Sequence, residues 1–121
     1  MIYNYNVFLI TGGAAIGFFV LAGLNGLQPY VRSSVLRAIT RRHRLFGTLS
    51  SVAALGHMFY AFYLGMFRIS GLLALIGLFA TGLTGALFSQ SQDRRLYLLH
   101  RIAGPITAGL IVLHLIVNIN W

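Results

Sequence analysis

Apolar residues in this chain come in four long runs rather than in the alternating or three-to-four spacing of a water-facing domain. The runs cover about 5–27, 43–66, 69–89 and 97–119. Each has the roughly 20 residues that a helix needs to cross about 30 Å of hydrocarbon. They are too long for barrel strands, so the pattern predicts an all-α bundle of four transmembrane helices. Polar and helix-breaking positions fall between the runs. Gln28-Pro29 stops the first, because proline cannot continue the hydrogen-bond ladder and disfavours helix before it. A short turn around Phe67–Gly71 makes the second and third helices an antiparallel hairpin, and Ser89-Gln90-Ser91-Gln92-Asp93-Arg94-Arg95 separates the third from the fourth.

Composition agrees with a membrane chain. Residues are 58% hydrophobic and 8% charged, against about 25% charged in a soluble domain. The 121 residues are expected to form one transmembrane domain, without room for a soluble appendage. The first run has no basic residue before it, which suits an uncleaved anchor with its N-terminus outside better than a signal peptide. There is no cysteine, which removes iron–sulfur clusters, thiolate zinc sites, disulfides and covalently attached haem. The single acid, Asp93, removes paired-carboxylate chemistry and a carboxylate proton relay.

The nine arginines are placed unevenly. Arg32, Arg37, Arg41, Arg42 and Arg44 follow the first helix, Arg94, Arg95 and Arg101 surround the start of the fourth, and Arg68 alone lies on the other side. Cytoplasmic loops are enriched in arginine, so both termini are expected outside, in the periplasm or its equivalent. Tyr3, Tyr5, Tyr63 and Trp121 would then mark the outer interface, and Tyr30 and Tyr97 the inner one. Between Val31 and Arg42, arginines interleave with Val35, Leu36 and Ile39. That pattern suits an interfacial helix on anionic headgroups, or a dock for an acidic partner. Topology already explains the high isoelectric point, so nucleic acid is not an expected partner.

Four histidines remain as candidates for chemistry inside the membrane: His43, His57, His100 and His114. Each pair is separated by fourteen residues. At about 100° and 1.5 Å per residue, the two rings share a helix face and stand roughly 21 Å apart. The second and fourth helices run in the same direction. His43 therefore lies level with His100 near the inner face, and His57 level with His114 nearer the outer one. A planar macrocycle held by one imidazole from each side needs this layout. The surroundings repeat as well: H-R-x-x-G-x9-H occurs at 43–57 and again at 100–114. On the same face lie Gly47, Ser50 and Ala54 in one helix and Gly104, Thr107 and Ile111 in the other. All but Ile111 are small, and a glycine one turn from a ligand lets a ring approach the backbone.

The doubled motif resembles the bis-haem four-helix core of membrane b-type cytochromes, a group that includes the ferric reductase-like transmembrane domains and the cytochrome b subunits of quinol-oxidising complexes. The H-R-x-x-G form is nearest the ferric reductase-like members, and the resemblance covers about residues 41–116. It implies two non-covalent b haems, an inner one on His43 and His100 and an outer one on His57 and His114. The chain departs from these families in having four helices rather than six, no dinucleotide-binding fingerprint, and none of the acidic loops of quinone sites. The resemblance therefore carries the cofactor and not the substrate.

Other features keep two readings. Arg44 and Arg101 suit haem propionates or are ordinary residues of the positive side. Gly13 and Gly17, and Gly77, Gly82 and Gly85, suit close helix packing or contact with a cofactor. Pro105 would free the Arg101 carbonyl and kink the fourth helix near His100. The run Phe59–Tyr63 suits lipid-facing bulk, with an electron path through Tyr60 as the alternative. Isolated histidines can also be polar bridges between helices, and a copper or zinc site lacks a visible third ligand. Three function classes follow: an electron-transfer subunit of a larger redox or photosynthetic complex, which the minimal chain favours; a free-standing quinone-linked oxidoreductase of the ferric reductase or superoxide oxidase type; and a haem-free structural subunit. The first two need an electron partner, either redox protein subunits or a quinone, in a bacterial inner membrane or equivalent.

Overall fold

A computed structural model describes the backbone of residues 2–27 and 30–119 and the side chains of 6–26 and 30–118. The expected stop at Gln28-Pro29 and the interfacial side chains of Tyr3, Tyr5 and Trp121 lie outside the described residues. The chain is all-α among the described residues: α1 (Ile2–Gly23) with a 3-10 turn at Leu24–Leu27, α2 (Ser34–Thr40), α3 (His43–Tyr63), α4 (Ile69–Ser91) and α5 (Arg94–Ile119). Four of these, α1, α3, α4 and α5, are long and apolar enough to span a membrane. They also turn large apolar side chains outward, such as Ile10, Val52, Leu83 and Ile116. Water would penalise so much exposed apolar surface, and lipid accepts it. The protein is an integral membrane protein in contact with lipid.

The ends of the helices differ from the hydropathy pattern by a few residues, for local reasons. α3 stops at Tyr63 rather than 66. Gly65 adopts a left-handed φ of 69°, with Gly65 N–H donating to the Phe62 carbonyl and Met66 N–H to the Ala61 carbonyl. This paired closure is the Schellman arrangement that a glycine permits. α4 runs two residues past the expected 89 and ends on Gln92, a left-handed cap with φ 58°. α5 begins at Arg94 rather than 97, because Asp93 Oδ1 accepts from Arg95 N–H at 2.9 Å and caps the new helix. The one acid of the chain is thus a helix cap. α5 continues unbroken through Pro105.

The chain divides into two compact units, Met1–Tyr60 and Ala61–Trp121. In the first, α3 runs antiparallel to α1: contacts pair Ala22 with His43, Phe18 with Phe46, Ala15 with Ser50, and Phe8 with His57. The helix expected within Val31–Arg42 is α2, capped by Ser33 Oγ, which accepts from Leu36 N–H. It buries Leu36 and Thr40 against α1 and the 3-10 turn, and exposes Val35 and Arg37. In the second unit α4 and α5 pack antiparallel, burying Ala74, Leu75 and Leu78. Gly77 admits Thr107, whose Oγ1 would lie 2.8 Å from a Cβ at that position. Each unit also places one hydroxyl midway between its histidines: Ser50 and Thr107 are fully buried. Ser50 donates to the Ala15 carbonyl, and Thr107 bonds the Thr81 hydroxyl. Hydrogen bonds of this kind hold helices together where packing is the main source of attraction.

Candidate cofactor-ligating histidines

All four histidines are half-buried, on the faces of α3 and α5 that meet a neighbouring helix of the same unit. In each ring Nδ1 is held from outside its own turn. His43 Nδ1 lies 2.8 Å from the Ala22 carbonyl oxygen, His57 Nδ1 2.8 Å from that of Phe8, and His100 Nδ1 2.7 Å from that of Thr81. A carbonyl can only accept, so in the neutral imidazole the proton sits on Nδ1 and the lone pair on Nε2. This is the tautomer in which metal-ligating histidines are usually fixed, and the hydrogen bond raises the basicity of the ligating nitrogen. The Phe8 and Thr81 carbonyls each also accept from a threonine hydroxyl three residues on, Thr11 and Thr84.

His114 is held differently. Its Nδ1 lies 2.8 Å from Ser70 Oγ and 3.1 Å from Asn118 Nδ2. Asn118 also donates to Ser70 Oγ and to the His114 carbonyl.

Glycines on the facing helices let the rings come close. A Cβ on Gly12 would lie 2.8 Å from His57 Cε1, one on Gly85 2.8 Å from His100 Cε1, and one on Gly71 3.0 Å from His114 Cε1. His57 is stacked on Phe8 as well, with centroids 4.3 Å apart. The close-approach glycine of α1 is therefore Gly12. Gly13 and Gly17 are exposed, and a Cβ on either would meet nothing within 4 Å, so among the described residues of this unit the expected tight packing at that pair is not found. On α4 the expectation holds at Gly77 and Gly85 and fails at the exposed Gly82.

Gly47 and Gly104 sit one turn after His43 and His100. Neither has a positive φ, and a Cβ on either would meet nothing within 4 Å. Among the described residues, neither backbone conformation nor packing calls for glycine at these two places. Arg44 is exposed, and its carbonyl accepts from Thr48 Oγ1. Arg101 reaches back one turn to donate to the Tyr97 hydroxyl at 3.0 Å, with its guanidinium 5.8 Å above that ring. An open depression of about 360 Å³ beside Phe88, Gln92, Arg94, Tyr97 and Leu98 includes none of the histidines. Among the described residues no three or more His, Asp or Glu side chains gather as a metal site.

The residues that hold the rings were missed by reading the histidine helices alone. A signal was present: Gly12 and Gly26, and Gly71 and Gly85, repeat the fourteen-residue interval of the histidines. Three of these four glycines receive a ring; at Gly26, in the 3-10 turn, a Cβ would meet nothing. In comparison with known proteins, the chain matches no family model, no curated protein and no solved structure.

Proposed function

We propose that this protein carries single electrons across a membrane through two b-type haems, as a subunit of a larger redox complex. One observation carries most weight: three imidazoles have Nδ1 bound to a carbonyl, which leaves the lone pair on Nε2, and they belong to a set of four paired at fourteen-residue intervals on two helices. Neutral nitrogen donors of fixed tautomer suit haem iron. The fit extends to Gly47 and Gly104, where a Cβ would meet nothing within 4 Å among the described residues. A bound haem would supply reversible Fe(III)/Fe(II) exchange.

By helix register, His43 and His100 would serve an inner haem and His57 and His114 an outer one, with the arginine-rich loops cytoplasmic. The chain's own residues fix the tautomers, keep the ligand helices at a set rotation and surround them with apolar side chains. Arg44 and Arg101 are candidates for propionate binding, although Arg101 already spans to Tyr97. A site built wholly from protein ligands has less support, since no group of three donors assembles among the described residues. The electron partner would be a redox protein subunit or a quinone.

The deciding measurement is pyridine haemochromogen content of the purified protein, with two b haems per chain expected. A chain purified from haem-replete cells without a b-type spectrum would be a structural subunit, and the reading would fall. His57→Ala and His114→Ala should each abolish the same haem and leave the other spectrum intact; loss of different haems would overturn the pairing. Co-purifying redox subunits would support the complex, and quinol turnover by the isolated chain would instead make it a free-standing oxidoreductase.

A further inference from the structure

Three histidines meet a backbone carbonyl at Nδ1, and His114 meets a hydroxyl and an amide there. Asn118 explains why this matters for His114. Its side-chain nitrogen lies 2.6 Å from the His114 carbonyl oxygen, which only a donor can approach, so the amide is oriented with its NH2 toward this cluster. The same NH2 stands 3.1 Å from His114 Nδ1 and 3.3 Å from Ser70 Oγ. Nδ1 therefore faces one group that can only donate and one hydroxyl that can donate or accept. Ser70 Oγ favours a proton on Nδ1, as an Nε2 ligand requires, when it accepts that bond. Asn118 works against this by donating to the same oxygen and by presenting a second donor to Nδ1.

We propose that Ser70 and Asn118 are positioning residues that together set the electron-donor strength of His114, and so the midpoint potential of the haem it holds. This rests on the haem reading above. A strong Nδ1–H bond to a carbonyl enriches the ligating nitrogen and favours Fe(III); a weak or contested one favours Fe(II). The two residues pull in opposite directions. Ser70 supplies the acceptor that keeps His114 in the ligating tautomer, and Asn118 weakens that acceptor.

Redox titration of the purified holoprotein, with both haems followed optically, provides the test. Asn118→Leu removes the competing donor and should lower the potential of one haem, leaving the other unchanged. Ser70→Ala removes the acceptor and should raise the potential of that same haem, or convert it to a high-spin spectrum as the ligand is lost. Ser70→Thr keeps the hydroxyl and should restore the parent value. Haem content of two per chain and an unmoved second potential show that the variants fold. The inference is overturned if both haems stay at their parent potentials in both variants, or if Asn118→Leu and Ser70→Ala shift in the same direction. A parent protein without haem would overturn the functional reading itself, and the spectrum taken before titration distinguishes that failure from the others.

Discussion

A methyl group added to Gly12 or Gly85 would land 2.8 Å from a carbon of an imidazole whose Nδ1 is already tied to a carbonyl. The ring cannot move away and keep that bond. Gly12→Ala and Gly85→Ala are therefore expected to destabilise the protein by about 1–3 kcal/mol, the usual cost of over-packing, and to disturb any group bound at His57 or His100. Gly13→Ala one residue away meets nothing within 4 Å and should stay within about 0.5 kcal/mol of the parent. Thermal unfolding in detergent compares the three. At this scale the histidines were legible, because their number, interval and repeated H-R-x-x-G context all appear in one dimension. Their hydrogen-bond partners were not. Phe8, Ala22 and Thr81 contribute only a backbone carbonyl, an atom every residue has, so no side-chain identity announces them. Ser70 and Asn118 do act through side chains, but they lie 44 and 4 residues from His114, and only the pairing of α4 with α5 joins the three.

Among the elements, the four spans were readable from hydropathy, and the errors lie at their ends. An apolar window continues through Leu64, Met66 and Phe67, so it overlooks the left-handed Gly65 that closes α3. Charge at 93–95 argued against helix, whereas Asp93 starts α5 by accepting from the N–H of Arg95. Asp93→Ala should cost about 1 kcal/mol, and Asp93→Asn, which keeps a capping oxygen, much less. Gly65→Ala should cost about 1–2 kcal/mol, since an L side chain is disfavoured at that φ. Thermal or denaturant unfolding of the purified variants measures both. The short helix α2 was foreseen as an interfacial element, and the structure adds which side faces the protein: Leu36 and Thr40 are buried while Val35 remains exposed.

For the molecule as a whole, the eight arginines on one side predict that both termini lie across the membrane from the α1–α3 and α4–α5 connections. Alkaline phosphatase fused after residue 118 should be active and a fusion within residues 31–42 inactive; the reverse pattern would invert the orientation. By itself the sequence determined that the protein is helical, embedded in lipid and poor in every ionisable group except arginine and four paired histidines. Those properties follow from composition and spacing along one chain, and a bilayer leaves few ways to satisfy them. The tertiary structure decided what surrounds each ring: the glycines that admit it, and the carbonyl or hydroxyl that sets its tautomer. Such contacts join residues 15 to 49 positions apart within a unit. They exist only once antiparallel helices settle into register, so the pattern within one helix does not specify them.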